Sequence, residues 1–401
     1  MMTTRCNALD RRVFLGGVAA LAARASVDTA LAAEETFNIG WVRPTTGRLA
    51  SSYAPLYIGG LIAIDEINAI GGVMGRKIAR QEEDDEASPA REPAVIKRLQ
   101  ESGVRYICGP TGSSQSLAAL AITTPAKTIT TMYAIASEAG DGARYPWHYQ
   151  CTFNSDLQAE MASRYLVETL KLKKIGILQE NTAYGEQVVT ACQIVLTKLG
   201  VTPVGVEVFP ITAPDLNVYV GNLRKAGADG VLFWTGSTPI TAKGFNSMHG
   251  QKYYPAIAGH SALFADSLLD LVPPEALQNA AGTYYKKLTW TDKDDIGARQ
   301  MEFAKKANLF PETREAGVNV ASSPFYDFLH MLRAAIESEK SFDPEKIKRA
   351  MDVTKGYNGL LGTLNFTETK HAAISIEDLT MATLLSGRDP RAMAVFRKRA
   401  T

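Results

Sequence analysis

The sequence lacks an excess of charge of either sign, since 43 lysines and arginines are balanced by 42 acidic residues. Such a chain has no electrostatic basis for binding nucleic acid or an anionic membrane surface. Long apolar runs are also missing, and no stretch approaches the roughly 20 consecutive apolar residues of a membrane-spanning helix. The 401 residues exceed what one hydrophobic core usually organises, so we expect two domains.

Cysteine is scarce. Apart from Cys6 near the N-terminus, the chain has Cys108, Cys151 and Cys192, an odd number that allows one disulfide at most. The sequence does not decide whether Cys151 and Cys192 form it. The spacings suit no zinc site, and the G-x-S-x-G, P-loop, G-x-G-x-x-G and H-E-x-x-H motifs are absent. We therefore predict a protein that is not an enzyme and uses no cofactor and no metal.

The N-terminus has the pattern of an export signal, which we assign to residues 1–32. Arg11 and Arg12 precede the apolar run Val13–Ala23, which is too short to span a bilayer, and a small-x-small cleavage motif precedes Ala33. The twin arginines resemble a Tat signal, although the residue before them departs from the usual pattern. Export is therefore predicted, while the choice between Tat and Sec stays open.

The stretch Phe37–Asp85 carries the most informative pattern in the chain. An apolar strand (Phe37–Val42) precedes a turn and an amphipathic helix, and a second strand follows at Arg76–Gln81. These elements form one βαβ unit, the building block of parallel sheets whose ligands bind beyond the carboxyl ends of the strands. Strands and helices keep alternating in a second series after Tyr149–Phe153, and a late helix is predicted over Asn319–Glu337.

The motif AIDEINAIGGVMGRKI followed by EDD resembles the periplasmic binding proteins for leucine, isoleucine and valine, the receptors of ABC importers. The resemblance implies an α/β fold with two doubly wound parallel-sheet lobes joined by a three-stranded hinge. It assigns residues 34–152 plus 284–358 to lobe 1 and 153–283 plus 359–401 to lobe 2. It also implies a monomer in the periplasm, a small-molecule ligand held between lobes that close on it, and a membrane permease as partner.

The first ligand loop implied by the resemblance is GPTGSS, which stands between a strand and a helix. Ser113 falls on the carboxylate-binding serine of the family, and Ser114 follows it. Small residues let backbone amides approach an anion, and the helix N-terminus adds partial positive charge. A helix N-cap is the alternative role for the same residues.

A second ligand loop contains Tyr133 and Ala134. Amino-acid receptors of the family carry small residues and a threonine here, whereas this chain has Tyr133 and Ile135. The exchange removes a polar contact and supplies an aromatic wall, unless Tyr133 only packs between the lobes. Tyr53, near the first loop, is a further candidate for an aromatic wall.

Three more candidates follow strands of the second series. Tyr184 matches the tyrosine that closes over the ligand in the family, and Ser237 or Thr238 stands at another family contact. His260 or Ser261 stands where amino-acid receptors place a glutamate that pairs with the ligand ammonium. A buried ammonium without a counter-charge is costly, so the sequence favours a carboxylate without an amino group, an aromatic acid foremost. A histidine exposed at the strand end is the alternative for His260.

Other interpretations remain open. The chain is alternatively a receptor for aliphatic amino acids, or for amides or urea, or a ligand-sensing domain that acts through a partner receptor. The acidic run Glu82–Glu86 is interpreted as a solvated strand end in preference to a metal site.

The export signal predicts a mature chain that begins near Ala33, because the cleavage motif ends one residue earlier. N-terminal sequencing of the protein recovered from the periplasm checks this. An intact terminus at Met1 or Met2 in cytosolic material would contradict it.

Overall fold

The computed structural model describes residues 35–47, 49–260 and 266–400, so the predicted export signal lies outside the described residues. The first sheet has four parallel strands in the order β2-β1-β3-β4. Its strands are β1 (Thr36–Val42), β2 (Lys77–Glu83), β3 (Tyr106–Thr111) and β4 (Ile129–Tyr133). The helices of this part are α1 (Ala50–Tyr53), α2 (Ile58–Ala69), α3 (Glu92–Glu101) and α4 (Ser113–Thr123).

The second sheet has six strands in the order β13-β9-β8-β7-β5-β6, all parallel except β13. They are β5 (Ile175–Glu180), β6 (Gly205–Phe209), β7 (Gly230–Trp234), β8 (Ala256–Gly259), β9 (Ala280–Tyr285) and β13 (Leu379–Thr383). Its helices are α5 (Ser155–Arg164), α6 (Ala183–Lys198), α7 (Asn217–Lys225), α8 (Thr238–Gly250), α9 (Leu268–Leu271) and α10 (Pro274–Leu277). The α/β fold with two parallel sheets is thereby confirmed.

The remaining elements complete both halves. The helices are α11 (Ala298–Ala307), α12 (Glu312–Ala316), α13 (Val318–Ala321), α14 (Phe325–Glu339) and α15 (Pro344–Asp352). Short strand pairs are formed by β10 (Thr289–Trp290) with β14 (Arg397–Lys398), and by β11 (Tyr357–Asn358) with β12 (Thr363–Leu364). None of the described helices is long and apolar enough to cross a membrane.

The single helix predicted over Asn319–Glu337 is wrong, because the chain forms two helices there. Helix α13 ends at Ala321, and α14 begins at Phe325, directly after Pro324. A proline has no N–H group for the hydrogen bond of a helix interior, but it is tolerated where a helix begins.

Close approach between strands β1 and β3 depends on Gly109. Its φ of +97° favours glycine, and a Cβ atom there would lie 2.0 Å from the carbonyl oxygen of Val42. The hydroxyl of Tyr57 donates a hydrogen bond to the same carbonyl oxygen. Glycine therefore lets the strand pass close to β1 at the start of the first ligand loop.

The three cysteines of the described chain are free thiols in buried positions. Cys151 and Cys192 therefore form no disulfide with each other, and burial raises the pKa of Cys192 to about 12. Cys108 packs among apolar side chains of the main core. The cysteines act as small buried side chains in this fold.

The segment Tyr149–Phe153, after which the second series of strands and helices begins, lies beside two other segments of the chain. Gln150 exchanges backbone hydrogen bonds of 2.8 and 3.0 Å with His371 and Ala373. The backbone N–H of Phe153 donates to the hydroxyl of Tyr285 at 3.1 Å, at the end of β9. Because β9 runs through residues 280–285, it crosses the predicted boundary between 283 and 284. The assignment of lobe boundaries stays a prediction.

The acidic run Glu82–Glu86 is not solvated along its whole length. Asp85 is fully buried together with Glu92 at the start of α3. Burial and the neighbouring charge of Asp85 raise the pKa of Glu92 to about 10, so its carboxyl group is protonated at neutral pH. In the described part of the chain, no group of three or more His, Cys, Asp or Glu side chains is placed to hold a metal ion.

The carboxylate of Glu66 on α2 holds helices α11 and α14 beside α2, which belongs to the half of the first sheet. This carboxylate accepts hydrogen bonds from Lys306 at 2.9 Å, Tyr326 at 2.8 Å and His330 at 3.0 Å. Partial burial alone raises the pKa of Glu66, but these three bonds outweigh it and lower that pKa from 4.5 to about 2. The ionised carboxylate therefore joins α2 to α11 and α14.

The substitution Glu66→Gln should lower the free energy of unfolding at neutral pH. The wild type carries this contribution above pH 4.5 and loses it as the pH falls towards 2, because the pKa is lowered in the folded state. Between pH 4.5 and 2, the free energy of unfolding of the variant, measured by urea titration, should fall less than that of the wild type. Glu337→Gln is the matched control, since Glu337 pairs with Arg333 on the surface. Equal pH profiles for all three proteins would contradict the assignment.

Candidate functional site

A cavity of about 350 Å³ lies between the two sheets, where β3, β4, β5, β7 and β8 end. Its first wall is formed by residues at or after the ends of β3 and β4 together with Tyr53 of α1, and its second wall by residues at or after the ends of β5, β7 and β8. The structure brings together seven of the eight predicted residues as lining of this cavity: Tyr53, Ser113, Ser114, Tyr133, Tyr184, Ser237 and His260.

Ala134 does not line the cavity. It is fully buried in the smaller hydrophobic cluster, on the α3 side of the first sheet, with Val95 and Met132. Side chains alternate across a strand, so the chain after Tyr133 turns Ala134 away and Ile135 back towards the cavity. Ser261, the alternative to His260, lies outside the described residues.

Ser113 occupies the first turn of α4, and Gly112 is the N-cap. The N-cap role considered for the serine is therefore not the one it has. Its hydroxyl oxygen accepts a hydrogen bond from the backbone N–H of Ala136 at 3.0 Å. An accepting hydroxyl keeps its own hydrogen for donation, and here that hydrogen can serve an acceptor in the cavity.

The N-terminus of α4 makes the first wall suitable for an anion. The eleven-residue helix has its first backbone N–H groups at Ser113, Ser114 and Gln115, which line the cavity. Such groups have no partner within their helix, and they carry the positive end of its dipole. The side chain of Gln115 donates to the carbonyl oxygen of Ala87 at 2.7 Å, which fixes the loop after β2 beside the helix.

Tyr133 and Tyr53 supply aromatic surface to the first wall. The hydroxyl of Tyr133 shares a hydrogen bond of 3.1 Å with Ser322, while its ring lines the cavity. Tyr53 reaches towards the second wall, because a Cβ atom built at Gly236 would lie 3.8 Å from its hydroxyl oxygen. Both rings therefore border the space that a ligand occupies.

Glu180, the last residue of β5, is an acidic group of the second wall that sequence reasoning missed. Its carboxylate accepts hydrogen bonds from Thr182 at 2.8 Å, Thr235 at 2.7 Å and the N–H of Gly236 at 3.1 Å. Burial raises the pKa of Glu180, although these three bonds favour the charged form. Two signals were available in the sequence: its position at the carboxyl end of a strand, and its place four residues before the Tyr-Gly pair of the same turn.

Tyr184 lies four residues after Glu180, at the start of α6. Its hydroxyl donates to Gln158 at 3.3 Å, and its ring meets the imidazole of His260 edge-on at 5.4 Å between centroids. The following Gly185 allows this turn, because a Cβ atom there would lie 2.0 Å from the carbonyl oxygen of Glu180. The Tyr-Gly pair thus places an aromatic ring directly beside the buried carboxyl group.

His260 is buried at the end of β8, which contradicts the alternative of an exposed histidine. Burial lowers the pKa of His260 to about 3, so its imidazole is neutral at neutral pH. A neutral imidazole offers hydrogen bonding without a charge. It neither repels a ligand cation nor neutralises one.

Ser237 is the N-cap of α8, and its backbone N–H donates to the Thr235 hydroxyl at 3.2 Å. The same hydroxyl donates to Glu180, so the loop after β7 and the end of β5 form one hydrogen-bonded unit. Asn319 of α13 is another lining residue that the sequence did not reveal. No motif surrounds it.

The two walls are joined beside the cavity. Gln187 of α6 accepts a hydrogen bond from the backbone N–H of Ser137 at 3.1 Å and donates one to Glu138 at 2.9 Å. These bonds connect a segment that follows β4 with a helix that follows β5. The cavity is thus enclosed between halves that touch.

Comparison with known proteins identifies related chains. The model of a family described as periplasmic binding protein matches residues 36–388. The Leu/Ile/Val-binding protein homolog 1 of Brucella suis is 24% identical over 368 residues, covering 89% of this chain and 92% of that protein. A type 1 periplasmic binding protein from Bordetella pertussis has a similar structure, with a TM-score of 0.78 and 22% identity, covering 87% of this chain and 96% of that one.

A second similar structure is a solute-binding protein of an ABC transporter from Rhodopseudomonas palustris, in complex with 4-hydroxybenzoate. Its TM-score is 0.74 at 16% identity, and the match covers 87% of this chain and 93% of that one. At these identities, the likeness to both structures shows the fold.

The substitution Gly185→Ala should destabilise the protein by about 1–3 kcal/mol, because the added Cβ atom meets the backbone of Glu180. Gly221→Ala is the control, since a Cβ atom there lies 3.4 Å from its nearest neighbour, the side chain of Gln251. Within helix α7 that change should leave stability equal or raise it by up to about 1 kcal/mol. Urea denaturation measures both variants, and an unchanged Gly185→Ala protein would refute the expectation.

Proposed function

Since this chain belongs to the family of periplasmic binding proteins, we propose that it captures a small organic acid, an aromatic carboxylate foremost, for an ABC importer. Members of this family bind solutes outside the cytoplasm and deliver them to a membrane permease. The proposal includes action as a monomer, with closure of two lobes over the ligand. The wall residues would bind the ligand without changing it chemically.

One observation supports the proposal: the cavity has hydrogen-bond donors at one end and aromatic side chains along its sides. The Ser113 hydroxyl and the amide groups at the start of α4 supply donors for a carboxylate. Tyr53, Tyr133 and Tyr184 supply aromatic surface along the cavity. Aromatic rings pack favourably against one another in offset or edge-on arrangements, so a flat ring suits these sides.

Glu180 supports one orientation of such a ligand. A carboxylate placed beside this buried acid would be repelled or would require its protonation. The ligand carboxylate therefore lies at the first wall, against Ser113. The rest of the ligand extends towards Tyr184 and His260, where a neutral imidazole imposes no charge requirement.

A second candidate, an aliphatic α-amino acid, is favoured by the same acidic side chain. The sequence indicated that no carboxylate replaces the ammonium-binding glutamate near His260, but Glu180 places a carboxyl group in the cavity. An ammonium group beside it would stabilise its ionised form. The name of the Brucella relative also refers to leucine, isoleucine and valine. Against this candidate, the Glu180 oxygens already accept three hydrogen bonds.

The prediction is that benzoate-type acids bind the mature protein more tightly than leucine or valine. Ser113→Ala should weaken carboxylate binding by about 1.5–3 kcal/mol, roughly 10- to 150-fold, because it removes one charge-assisted hydrogen bond. Tyr184→Ala should weaken aromatic acids more than leucine. Isothermal titration calorimetry with both ligand classes measures these affinities.

Ser116→Ala is the matched control, because Ser116 lies in the same helix and is not part of the cavity lining. Its affinities should equal those of the wild type. Tight leucine binding with inert aromatic acids would overturn the proposal in favour of the second candidate. In that case, Glu180→Gln should abolish most of the leucine affinity.

A further inference from the structure

A row of four ring side chains runs from the cavity into the interior behind it. Tyr184, which lines the cavity, meets the ring of His260 edge-on at 5.4 Å between centroids. His260 meets Phe153 edge-on at 6.1 Å, and Phe153 stacks on Tyr285 at 4.9 Å. All four side chains are buried. They constrain one another, because a close-packed interior transmits a displacement from one side chain to the next.

The inner end of the row holds two separate segments together. The hydroxyl oxygen of Tyr285 accepts a hydrogen bond from the backbone N–H of Phe153 at 3.1 Å and shares one of 2.8 Å with the Thr152 hydroxyl. Tyr285 ends β9, whereas Thr152 and Phe153 lie shortly before α5. The phenol therefore ties the segment Tyr149–Phe153, which leads from the first series of strands to the second, to a strand of the second sheet.

Water does not replace these hydrogen bonds when they are lost. Thr152, Phe153 and Tyr285 are each at most 1% exposed. Without the phenol oxygen, the N–H of Phe153 would be a buried donor with no partner, which is costly. Relief of that cost requires a movement of Phe153, and the ring of His260 is displaced with it because the two rings are in contact.

We propose that Tyr285 is a positioning residue whose hydroxyl fixes His260 and Tyr184 as they face the ligand, and so couples the segment Tyr149–Phe153 to the cavity. Tyr285 is not among the residues that line the cavity, so its hydroxyl acts on a ligand through the row of rings. The inference rests on the proposed function in that a ligand contacts Tyr184, but it does not depend on the chemical class of that ligand.

The first test needs no ligand. Tyr285→Phe removes the hydroxyl and keeps the ring, and Thr152→Val removes the other hydroxyl while keeping the shape of the side chain. In hydrogen–deuterium exchange, both variants should exchange faster than the wild type over residues 180–188, the segment that carries Tyr184. The increase should be about 5-fold, as expected for the loss of one buried hydrogen bond.

Tyr253→Phe is the matched control, since it also removes one phenol hydroxyl. Tyr253 donates a hydrogen bond to the carbonyl oxygen of Ala228 at 2.7 Å. Both residues precede strands of the second sheet, β8 and β7, so they lie at the edge opposite the cavity. The control should leave exchange over residues 180–188 unchanged.

The second test is a double-mutant cycle by calorimetry, with benzoate and with leucine as ligands. In the otherwise wild-type protein, Tyr285→Phe should weaken binding about 5-fold. In the Tyr184→Ala background the same change should alter the affinity by a factor near one, because the ring through which it acts is gone. Tyr253→Phe should leave the affinity unchanged in both backgrounds.

A purely structural role of Tyr285 predicts a different pattern. Equal exchange over residues 180–188 in Tyr285→Phe and Tyr253→Phe, or an equal loss of affinity in both backgrounds, overturns the inference. If leucine binds and benzoate does not, the proposed function fails, while a loss that disappears in Tyr184→Ala still supports the inference. If neither ligand binds, the exchange experiment decides by itself.

Discussion

Parallel pairing of the strands is the constraint on which the cavity depends. Strands that run in one direction deliver their carboxyl ends to one edge of a sheet, and the loops that follow meet there. In this chain, β3 and β4 deliver Ser113 and Tyr133 to the first wall. On the second wall, β5 and β8 deliver Glu180 and His260 in the same way. Residues distant in sequence become neighbours because each follows a strand by only a few positions.

The electrostatic difference between the two walls follows from what each strand end carries. The first wall carries the positive end of a helix dipole and the hydroxyl of Ser113. The second carries the buried carboxyl of Glu180 and the neutral imidazole of His260. Desolvation strengthens both effects, because charges in a site that excludes water are poorly screened. A ligand with an anionic end thus has one favourable orientation.

Sequence reasoning succeeded where the determinant is local. The first strand was predicted from its apolar run, and Tyr184 from its match to the family tyrosine that closes over the ligand. It failed where the determinant is a distant partner. The acceptor role of Glu180 requires Thr235, 55 positions away, and the separate helix that carries Asn319 requires the break before α14. The burial of Asp85 likewise depends on tertiary packing, whereas the sequence alone showed only a run of acids.

In the proposed closure, the hydrogen bonds that join the walls would set how much a ligand must contribute. Gln187 makes two of them, and each contributes about 1 kcal/mol net because water satisfies the same groups when the walls separate. Moving a two-state equilibrium from 1:99 to 99:1 takes about 5.5 kcal/mol of differential affinity. That difference has to come from contacts that exist only when both walls are close. In the proposed mode of binding, a ligand bound to Ser113 on one wall and packed against Tyr184 on the other would make such contacts in the closed form alone.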